Sequence, residues 1–530
     1  MDDRQAAGTG LNEHNQPEPL SVLSRIRVGL GLLAGLRKPD FQAARAFIKV
    51  RYAGGLFPWN WCRFLGWSLR QMFVVVPEAA GCLSIAGDVS RTPMWLLDEN
   101  PLANHPWNDT PDAQLPAEVD TVVIGAGFTG AALAYHWSRT APPERNMIVL
   151  EMDDPASGSS GRNEGLVVMG RYFKMVHDTV FANLTCVRTD LLPADQSQLA
   201  EQFADRYCRA AYRNAEMIDR TIREKSFDCD YVRAGWVQAR EADGQTGLDE
   251  SVTMAIESGW TDWKAITPKE VAVRSGMRVE HNAGFSVAAA SWHPAKWVWC
   301  LLQAAIARSN VALFTQTKVT NVEDDKQGYL IRTSRGSLRA RHVVYATESY
   351  TPVLQPQFHD AILPVQEQAA SGEGGPEGMR RHVGISGSWF FAGRYGSRVL
   401  FGSGGARLRD NEAGVNRPSR FLTRFVAAEL KRHFGPYRLN MTNEWSGTVG
   451  YTPDEYPIVG CLDGKGRYII AGMCGSGSGV SFNGGRCVVN RILGQTDESD
   501  DYPEAYFSPG RLLDPANHRW PVIERNSSSS

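Results

Sequence analysis

The stretch 119–165 constrains the fold of this chain more than any other. It combines two short apolar runs typical of buried parallel strands with a G-x-G-x-x-G turn and a helix-forming run. These parts are a strand at 120–124, the glycines Gly125, Gly127 and Gly130, a helix at 131–138, and a strand at 147–150 that ends at Glu151. This order predicts a βαβ unit that binds a dinucleotide. The alternative is a glycine-rich turn of an α/β fold that binds no ligand.

Each glycine of the turn has its own physical role. Gly125 permits a tight turn, Gly127 lets a pyrophosphate approach the backbone because it has no Cβ, and Gly130 allows helix and strand to pack closely. The helix N-terminus offers free N–H groups and partial positive charge to phosphates. An acid such as Glu151 can accept hydrogen bonds from ribose hydroxyls. The candidate cofactor-binding residues of this unit are Gly125, Gly127, Phe128, Thr129, Gly130, Glu151 and Met152.

A second loop of small residues, 157–165, follows soon after the acid. Its hydroxyl and backbone N–H groups can hold pyrophosphate, and its guanidinium can add positive charge. Such a loop suits a ligand that extends past the first turn, which favours FAD over NAD. The alternative is a flexible serine–glycine loop. The candidate cofactor-binding residues here are Ser157, Ser159, Ser160, Gly161, Arg162, Asn163 and Gly165.

These motifs resemble those of the FAD-dependent amine and D-amino-acid oxidoreductases, a family that includes glycine oxidase, sarcosine oxidase, D-amino-acid dehydrogenase and γ-glutamylputrescine oxidase. The resemblance extends over about residues 94–494. It includes a glycine loop at 472–479 that enters a helix, which in relatives meets the flavin. By this resemblance, the further cofactor-binding residues are Val319, Ala346, Thr347, Gly475, Gly477, Ser478, Gly479 and Val480.

The resemblance implies an α/β fold. In this fold a Rossmann-like FAD-binding domain is interleaved with an antiparallel-sheet substrate domain. We also expect a helical N-terminal extension and polar, disordered ends. The expected division is a disordered tail at 1–18, the extension at 19–92, the FAD-binding domain at 93–170, 311–350 and 441–500, the substrate domain at 171–310 and 351–440, and a C-terminal tail at 501–530.

One departure from the family concerns the substrate carboxylate. Members that act on amino acids carry an arginine in a W-x-G-x-R-P-G-T motif, and the matching stretch here, 445–452, reads W-S-G-T-V-G-Y-T. Val449 stands at the arginine position, and a valine cannot pair with a carboxylate. Arg394 or Arg407 could replace it. Trp445 and Tyr451 are candidate substrate contacts from the same stretch.

A second departure is the presence of acids in segments expected near the flavin: Glu164, Glu348 and Glu367. Our hypothesis is that one or more of them bind a cationic group of an amine substrate. The alternative is that they are solvated or salt-bridged. No side chain is identified as a catalytic base, and we interpret His293 as a helix cap.

We expect the FAD to be noncovalent. The cysteine that tethers the flavin of sarcosine oxidase would fall near Gly447 and is absent, and 157–165 contains no histidine.

Composition argues against several other classes of protein. The chain has 530 residues, of which 43% are hydrophobic and 22% charged, as in a globular protein of two or three domains. The net charge of −2 gives no indication of nucleic-acid binding. Nine scattered cysteines without a C-x-x-C pair favour a reducing compartment and argue against a metal site. No signal peptide or membrane span is evident, so we expect a cytoplasmic protein.

The segment 20–70 leaves two interpretations open. Residues 20–75 contain nine Lys or Arg and one acid, Asp40, interleaved with several aromatic residues. The first interpretation is a peripheral element that lies on a membrane surface. The second is a helical extension that packs on its own catalytic body or on another subunit.

The resemblance implies a FAD-dependent oxidoreductase that oxidises the C–N bond of an amine or N-substituted amino acid to an imine, with O2 as electron acceptor. One alternative is a membrane-associated dehydrogenase that passes electrons to a quinone. Another is a flavoprotein subunit without catalytic activity. The substrate itself is not identified by the sequence, because family members differ in their pocket loops.

Overall fold

Two large β-sheets organise the protein. The computed structural model describes residues 21–34, 57–85, 89–103, 114–168, 173–403, 413–495 and 500–521. The tail expected at 1–18 lies outside these ranges. The chain crosses between the two sheets several times, so both are built from segments that are distant in sequence.

The strands of the described residues are β1 Leu83–Ser84, β2 Glu118–Ile124, β3 Met147–Leu150, β4 Leu166–Val167, β5 Trp236–Gln238, β6 Trp263–Ile266, β7 Ala283–Ser286, β8 Ala290–Ser291, β9 Val311–Phe314, β10 Val319–Asp325, β11 Gly328–Thr333, β12 Gly336–Tyr345, β13 Leu363–Gly374, β14 Gly384–Ser386, β15 Phe390–Tyr395, β16 Arg398–Ser403, β17 Leu439–Tyr451, β18 Ile458–Cys461 and β19 Arg467–Ala471.

The α-helices of the same ranges are α1 Val22–Ala34, α2 Phe57–Arg70, α3 Val76–Ala80, α4 Phe128–Thr140, α5 Phe173–Val187, α6 Pro193–Lys225, α7 Gln245–Glu257, α8 Pro268–Ser275, α9 Pro294–Ile306, α10 Thr351–Leu354, α11 Arg420–Phe434, α12 Gly477–Leu493, α13 Glu504–Phe507 and α14 Gly510–Leu513. A π-helical turn, Gln71–Val75, joins α2 to α3.

The sheet that carries the G-x-G-x-x-G unit has a parallel core. Its parallel strands lie in the order β19-β12-β2-β3-β9. Strand β2 is buried from Val119 to Ile124, as expected where helices cover both faces of a sheet. Helix α4 packs against α9 and α12. The Rossmann-like domain predicted from 119–165 is therefore present.

The second sheet is mixed rather than purely antiparallel. Its strands lie in the order β1-β17-β13-β16-β15-β14-β5-β7-β6. The pairs β1–β17 and β14–β5 are parallel, and the remaining pairs are antiparallel. Its core is a separate apolar cluster that includes Phe285, Phe390 and Phe425.

Two elements differ from the expected domain division. The division places β17 largely in the FAD-binding domain, which resumes at 441, but β17 pairs with β13 in the mixed sheet. The division places α9 in the substrate domain, but α9 packs on α4 beside the parallel sheet. An apolar strand or helix suits either layer, so only its distant partners decide where it lies.

The end of the N-terminal extension packs on the protein's own mixed sheet. Val76 and Cys82 are buried in the same cluster as Phe425 of α11. The ring of Trp67 lies 6.5 Å from that of Phe425, edge to face. Strand β1 adds to the edge of β17. The interpretation of a helical extension packed on its own body is correct for this inner surface.

The segment 501–521 is not a loose tail. Tyr502 and Phe507 are fully buried. The Arg511 guanidinium is also buried, and it donates to Asp454 Oδ2 at 2.8 Å and to Tyr456 O at 2.8 Å. This buried ion pair fastens the C-terminal segment to the turn that follows β17. The residues 522–530 lie outside the described ranges.

We expect Arg511→Met to destabilise the protein by about 3–5 kcal/mol, because Asp454 would be left buried without its partner. The matched control is Arg332→Met, which removes an ion pair whose side chains are 50% and 40% exposed and should change the melting temperature little. Thermal unfolding of both variants tests this. Equal melting temperatures for the two variants would contradict the expectation.

Candidate functional site

A cavity of about 380 Å³ opens at the carboxyl ends of β2, β3 and β12. The residues that end or follow these strands, Ile124, Leu150 and Ala346, line it. Ligands of open α/β sheets bind beyond the carboxyl ends of the strands. The opposite wall comes from β13 and β17 of the mixed sheet, so the cavity lies between the two sheets.

Most of the predicted cofactor-binding residues line this cavity. They are Gly125, Gly127, Phe128, Thr129, Glu151, Met152, Ser157, Ser159, Ser160, Arg162, Asn163, Val319, Ala346, Thr347, Gly475, Gly477 and Ser478. The other predicted residues are buried behind the lining: Gly130, Gly161, Gly165, Gly479 and Val480. These five residues are not among those that line the cavity, and their contribution to cofactor binding stays a prediction.

The first turn requires its glycines. Gly125 has φ +105°, and a Cβ there would lie 2.7 Å from Ala346 O. A Cβ on Gly127 would lie 2.7 Å from Ser160 Oγ and would occupy space where the second loop meets the first. A Cβ on Gly130 would overlap Gly125 O. The turn thus brings backbone amides to the cavity and packs α4 against β2, as predicted.

Two helix N-termini meet at the cavity. Gly127 is the N-cap of α4 and Ser476 the N-cap of α12. The two helices are joined by a hydrogen bond in which Thr129 Oγ1 donates to Ser481 Oγ at 3.1 Å. Both N-termini present partial positive charge, so this part of the cavity favours an anion such as a pyrophosphate.

Glu151 and Arg162 are two charged residues that line the cavity. Glu151 accepts hydrogen bonds from Ala126 N at 2.7 Å and from Asp153 N at 3.0 Å. Each of its oxygens keeps a second acceptor site, which suits ribose hydroxyls. Arg162 donates to Ser157 O at 2.9 Å and to Ser446 O at 3.2 Å, and burial lowers the pKa of its guanidinium. No carboxylate of the described residues forms an ion pair with it, so its charge remains for a ligand.

Comparison with known families gives the assignment. Residues 120–491 match the family described as DAO, FAD dependent oxidoreductase. The chain belongs to this family. This FAD-dependent oxidoreductase is 23% identical over 396 residues to the probable oxidoreductase OrdL of Haemophilus influenzae, a match that covers 71% of this chain and 84% of that protein.

Solved structures share the fold at low sequence identity. The L-proline dehydrogenase of P. horikoshii superposes with a TM-score of 0.61 at 18% identity and covers 75% of this chain and 98% of its own. The glycine oxidase of Geobacillus kaustophilus gives a TM-score of 0.56 at 17% identity and covers 74% of this chain and 98% of its own. The predicted α/β fold is confirmed.

The cavity of this FAD-dependent oxidoreductase suits its cofactor. Two helix N-termini and Arg162, which forms no ion pair with a carboxylate of the described residues, lie at the cavity and suit a ligand that carries a pyrophosphate. Gly127, which lines the cavity, has no Cβ and lets a pyrophosphate approach the backbone of the turn. Gly447, near which the tethering cysteine of sarcosine oxidase would fall, lines the cavity beside Arg162. That the flavin is noncovalent stays a prediction.

Two of the three predicted acids share one region of the cavity. Glu164 and Glu367 both line it. Burial and the neighbouring Glu367 carboxylate raise the pKa of Glu164 to about 8. Tyr451 lies behind Glu367 and donates its hydroxyl to Oε1 at 2.6 Å. Tyr395 donates to the backbone oxygen of Glu164 at 2.6 Å. The first of these hydrogen bonds holds the Glu367 carboxyl group, and the second holds the backbone at Glu164.

Glu348 has a different role from the one predicted. Its carboxylate accepts hydrogen bonds from Gly450 N at 2.8 Å and from Met473 N at 2.9 Å. Its own backbone has φ +47°, which is unusual for a glutamate. The side chain therefore ties the end of β12 to β17 and to the glycine loop. This use of both oxygens argues against Glu348 as the main partner of a substrate cation.

Trp445 does not line the cavity. Its side chain is fully buried, and Nε1 donates to Arg162 O at 2.9 Å. It therefore supports the second cofactor loop through this hydrogen bond. Tyr451 contacts the acid Glu367, as described above. Neither Trp445 nor Tyr451 is among the residues that line the cavity, and a direct contact of either with substrate stays a prediction.

Neither of the arginines expected to replace the one missing at Val449 lies in the described part of the cavity wall. Val449 lines the cavity. Arg394 is not among the lining residues, and it donates to Pro376 O at 2.6 Å. Arg407 lies outside the described residues. Of these alternatives, none places a guanidinium in the described part of the cavity wall.

His293 is the helix cap that the sequence predicts. Its Nδ1 accepts a hydrogen bond from Lys296 N at 3.1 Å at the start of α9. Burial lowers the pKa of the imidazole to about 4. It does not line the cavity.

Several residues that line the cavity belong to no recognisable sequence motif. Asp153 and Lys318 adjoin predicted residues, so a wider reading of the same loops would find them. The segments that carry the others reach the cavity only through sheet pairing and distant packing. The additional lining residues include Tyr350, Gln368, Phe391, Gly414, Val415, Thr448, Met473 and Ser481.

We expect Gly125→Ala to abolish binding of FAD, because the new Cβ would be strained at positive φ and would press on Ala346 O. The matched control is Gly247→Ala in α7, where a Cβ meets nothing within 4 Å. The ratio of flavin to protein absorbance in the purified variants measures the effect. A yellow Gly125→Ala protein with the wild-type ratio would contradict this reading of the turn.

Proposed function

We propose that this enzyme oxidises the C–N bond of an amine or N-substituted amino acid that carries an additional cationic group, with O2 as electron acceptor. The observation that supports this is the pair of carboxyl groups, Glu164 and Glu367, in the cavity wall. The valine at position 449 also disfavours a simple amino acid, because it offers no partner for the carboxylate.

The carboxyl pair has the electrostatic properties of a cation site. Burial is the main cause of the raised pKa of Glu164, and the neighbouring Glu367 carboxylate raises it further, because two nearby carboxyl groups resist simultaneous ionisation. A bound ammonium group would favour the ionised form of both carboxyl groups, because it attracts both carboxylates and lowers their pKa values. Tyr451 already donates a hydrogen bond to Glu367 and keeps its carboxyl group in position.

The reaction follows from the cofactor and the cavity. Bound FAD supplies the acceptor for the hydride that leaves the carbon next to the amine. The nitrogen lone pair of the neutral amine forms the C=N bond of the imine, and water then hydrolyses the imine to a carbonyl compound and an amine. The protein holds the substrate by its distal cation and shields the reacting carbon from water.

Anaerobic mixing with a panel of amines tests this function. We expect diamines and amino acids with a cationic side chain to bleach the flavin absorbance, and simple amino acids to react much more slowly. Readmission of air should then produce one peroxide per imine. A flavin that light reduces but no amine reduces would contradict the proposal and favour a noncatalytic subunit.

A quinone acceptor is the second candidate, and the exposed apolar surface of α1 and α2 favours it. Under this alternative the same amines would bleach the flavin. Peroxide would form slowly in air, and added quinone would restore rapid turnover. The same set of assays therefore identifies the electron acceptor independently of the substrate class.

We expect Glu164→Gln to weaken binding of the cationic substrate in a pH-dependent way. Since the carboxyl pKa is raised to about 8, the attractive charge is complete only above that pH. The wild-type KM should fall as the pH rises through about 8, and the variant should lose this part of the fall. Above pH 8 its KM should be about tenfold higher or more, and well below pH 8 the difference should be small.

The control for this variant is Glu373→Gln, an exposed acid on the same strand as Glu367. A substrate with a distal trimethylammonium group keeps its charge at every pH. With this substrate, a difference in the pH dependence of KM between wild type and variant therefore reports on titration of the enzyme. An unchanged KM for both Glu164→Gln and Glu367→Gln above pH 8 would refute the cation site.

A further inference from the structure

Helix α1 presents an apolar stripe to the solvent. Leu23, Ile26, Leu30 and Leu33 are 80%, 44%, 56% and 38% exposed. Their spacing of three, four and three residues places them on one face of the helix. Val22 beside them is 73% exposed. A stripe of this kind usually faces a core, so its exposure requires another explanation.

The opposite face of α1 is held by the body of the protein. A Cβ on Gly29 would overlap the ring of Phe73, so the helix lies directly on the π-helical turn. Val28 packs against the core of the mixed sheet. Arg25 forms an ion pair with Glu78 at 3.2 Å. The orientation of the stripe is therefore set by contacts on the inner face.

Helix α2 is also oriented with apolar side chains outward. Trp59, Leu65 and Leu69 are 67%, 52% and 49% exposed, whereas Asn60 and Ser68 are 7% and 8% exposed. A helix whose outer face meets only water would carry polar side chains at these exposed positions. Together, α1 and α2 form an exposed apolar surface, which we call the α1–α2 surface.

The charges beside the α1–α2 surface are positive. Arg27, Arg63 and Arg70 are exposed, and neither helix contains an acid. The three arginines form no ion pair with a carboxylate of the described residues. In sequence, 20–75 holds nine basic residues and one acid although the whole chain has a net charge of −2. Among the described residues, Arg27, Arg63 and Arg70 therefore give this surface a positive charge.

We propose that the α1–α2 surface binds the face of a lipid bilayer that contains anionic headgroups. Apolar side chains on an interfacial helix enter the boundary of the acyl chains, and flanking arginines pair with anionic headgroups. An exposed tryptophan such as Trp59 suits the headgroup level. No helix of the described ranges is long and apolar enough to cross a membrane, so the helices would lie in the plane of the interface.

A second copy of the chain fits this surface less well. Symmetric self-association would bring the arginines of one copy against those of the other. The stripe of α1 also belongs to a helix of 13 residues, which is shorter than the three to four heptads that a stable coiled coil needs. Charge therefore favours an anionic lipid surface over another copy.

Co-sedimentation of the holoenzyme with vesicles tests the proposal. We expect binding to vesicles of phosphatidylcholine mixed with phosphatidylglycerol to exceed binding to pure phosphatidylcholine by about tenfold or more. Added salt should weaken the binding to mixed vesicles, because it screens the arginines. Equal and negligible binding to both vesicles would overturn the proposal.

Two variants locate the contact. Val22→Glu with Leu23→Glu should abolish vesicle binding and leave flavin content and amine turnover in solution unchanged, since neither residue lines the cavity. The matched control is Val273→Glu with Leu192→Glu, which alters residues that are 66% and 61% exposed elsewhere and should bind as the wild type does. Equal loss of binding in both double variants would overturn the proposal.

A separate variant tests the contribution of the arginines to vesicle binding. It remains informative if the apolar substitutions disturb folding. Arg27→Ala with Arg63→Ala and Arg70→Ala should reduce binding to mixed vesicles and its dependence on salt. Sedimentation velocity without lipid reports self-association. A dimer that the Val22→Glu and Leu23→Glu substitutions dissociate, together with no vesicle binding by the wild type, would assign the surface to a second copy and overturn the proposal.

Discussion

The meeting of two helix N-termini is the interaction on which the cavity depends. The first turns of α4 and α12 are joined by the hydrogen bond from Thr129 to Ser481, across 352 positions of sequence. Asn214 of the long helix α6 holds the second of these turns, because it donates to Ser478 O and accepts from Phe482 N. Partial positive charge from both helices is thereby fixed at one place. We expect the cofactor pyrophosphate to bind at this place, where the backbone itself is electropositive.

The glutamates of the cavity show how partners determine the role of a side chain. Glu348 meets two backbone N–H groups, and it consequently ties three segments together. Burial and the nearby Glu367 carboxylate raise the pKa of Glu164 to about 8. The first arrangement uses both carboxylate oxygens within the protein. The second places two carboxyl groups in the cavity wall, and this contrast is why we propose Glu164 and Glu367 for substrate recognition.

The N-terminal helices have two surfaces with different properties. Their inner face packs on the mixed sheet through residues such as Trp67 and Val28. Their outer face exposes leucines and a tryptophan beside arginines. The two interpretations of this segment from sequence are therefore compatible, because each concerns a different face. Packing on the protein's own body orients the outer face for a partner.

The sequence by itself determined the cofactor unit and the family of this protein. The strand, glycine turn, helix and terminal acid are local features of the sequence. Each glycine at 125, 127 and 130 stands where an added Cβ would lie too close to a neighbouring atom. Only the tertiary structure decided which acids face the ligand, that Trp445 is buried behind Arg162, and that 501–521 packs as part of the body. The physical reason is that these outcomes depend on partners far away in sequence. The N–H groups that donate to the Glu348 carboxylate, for example, lie 102 and 125 positions from it, and no local sequence pattern predicts such a contact.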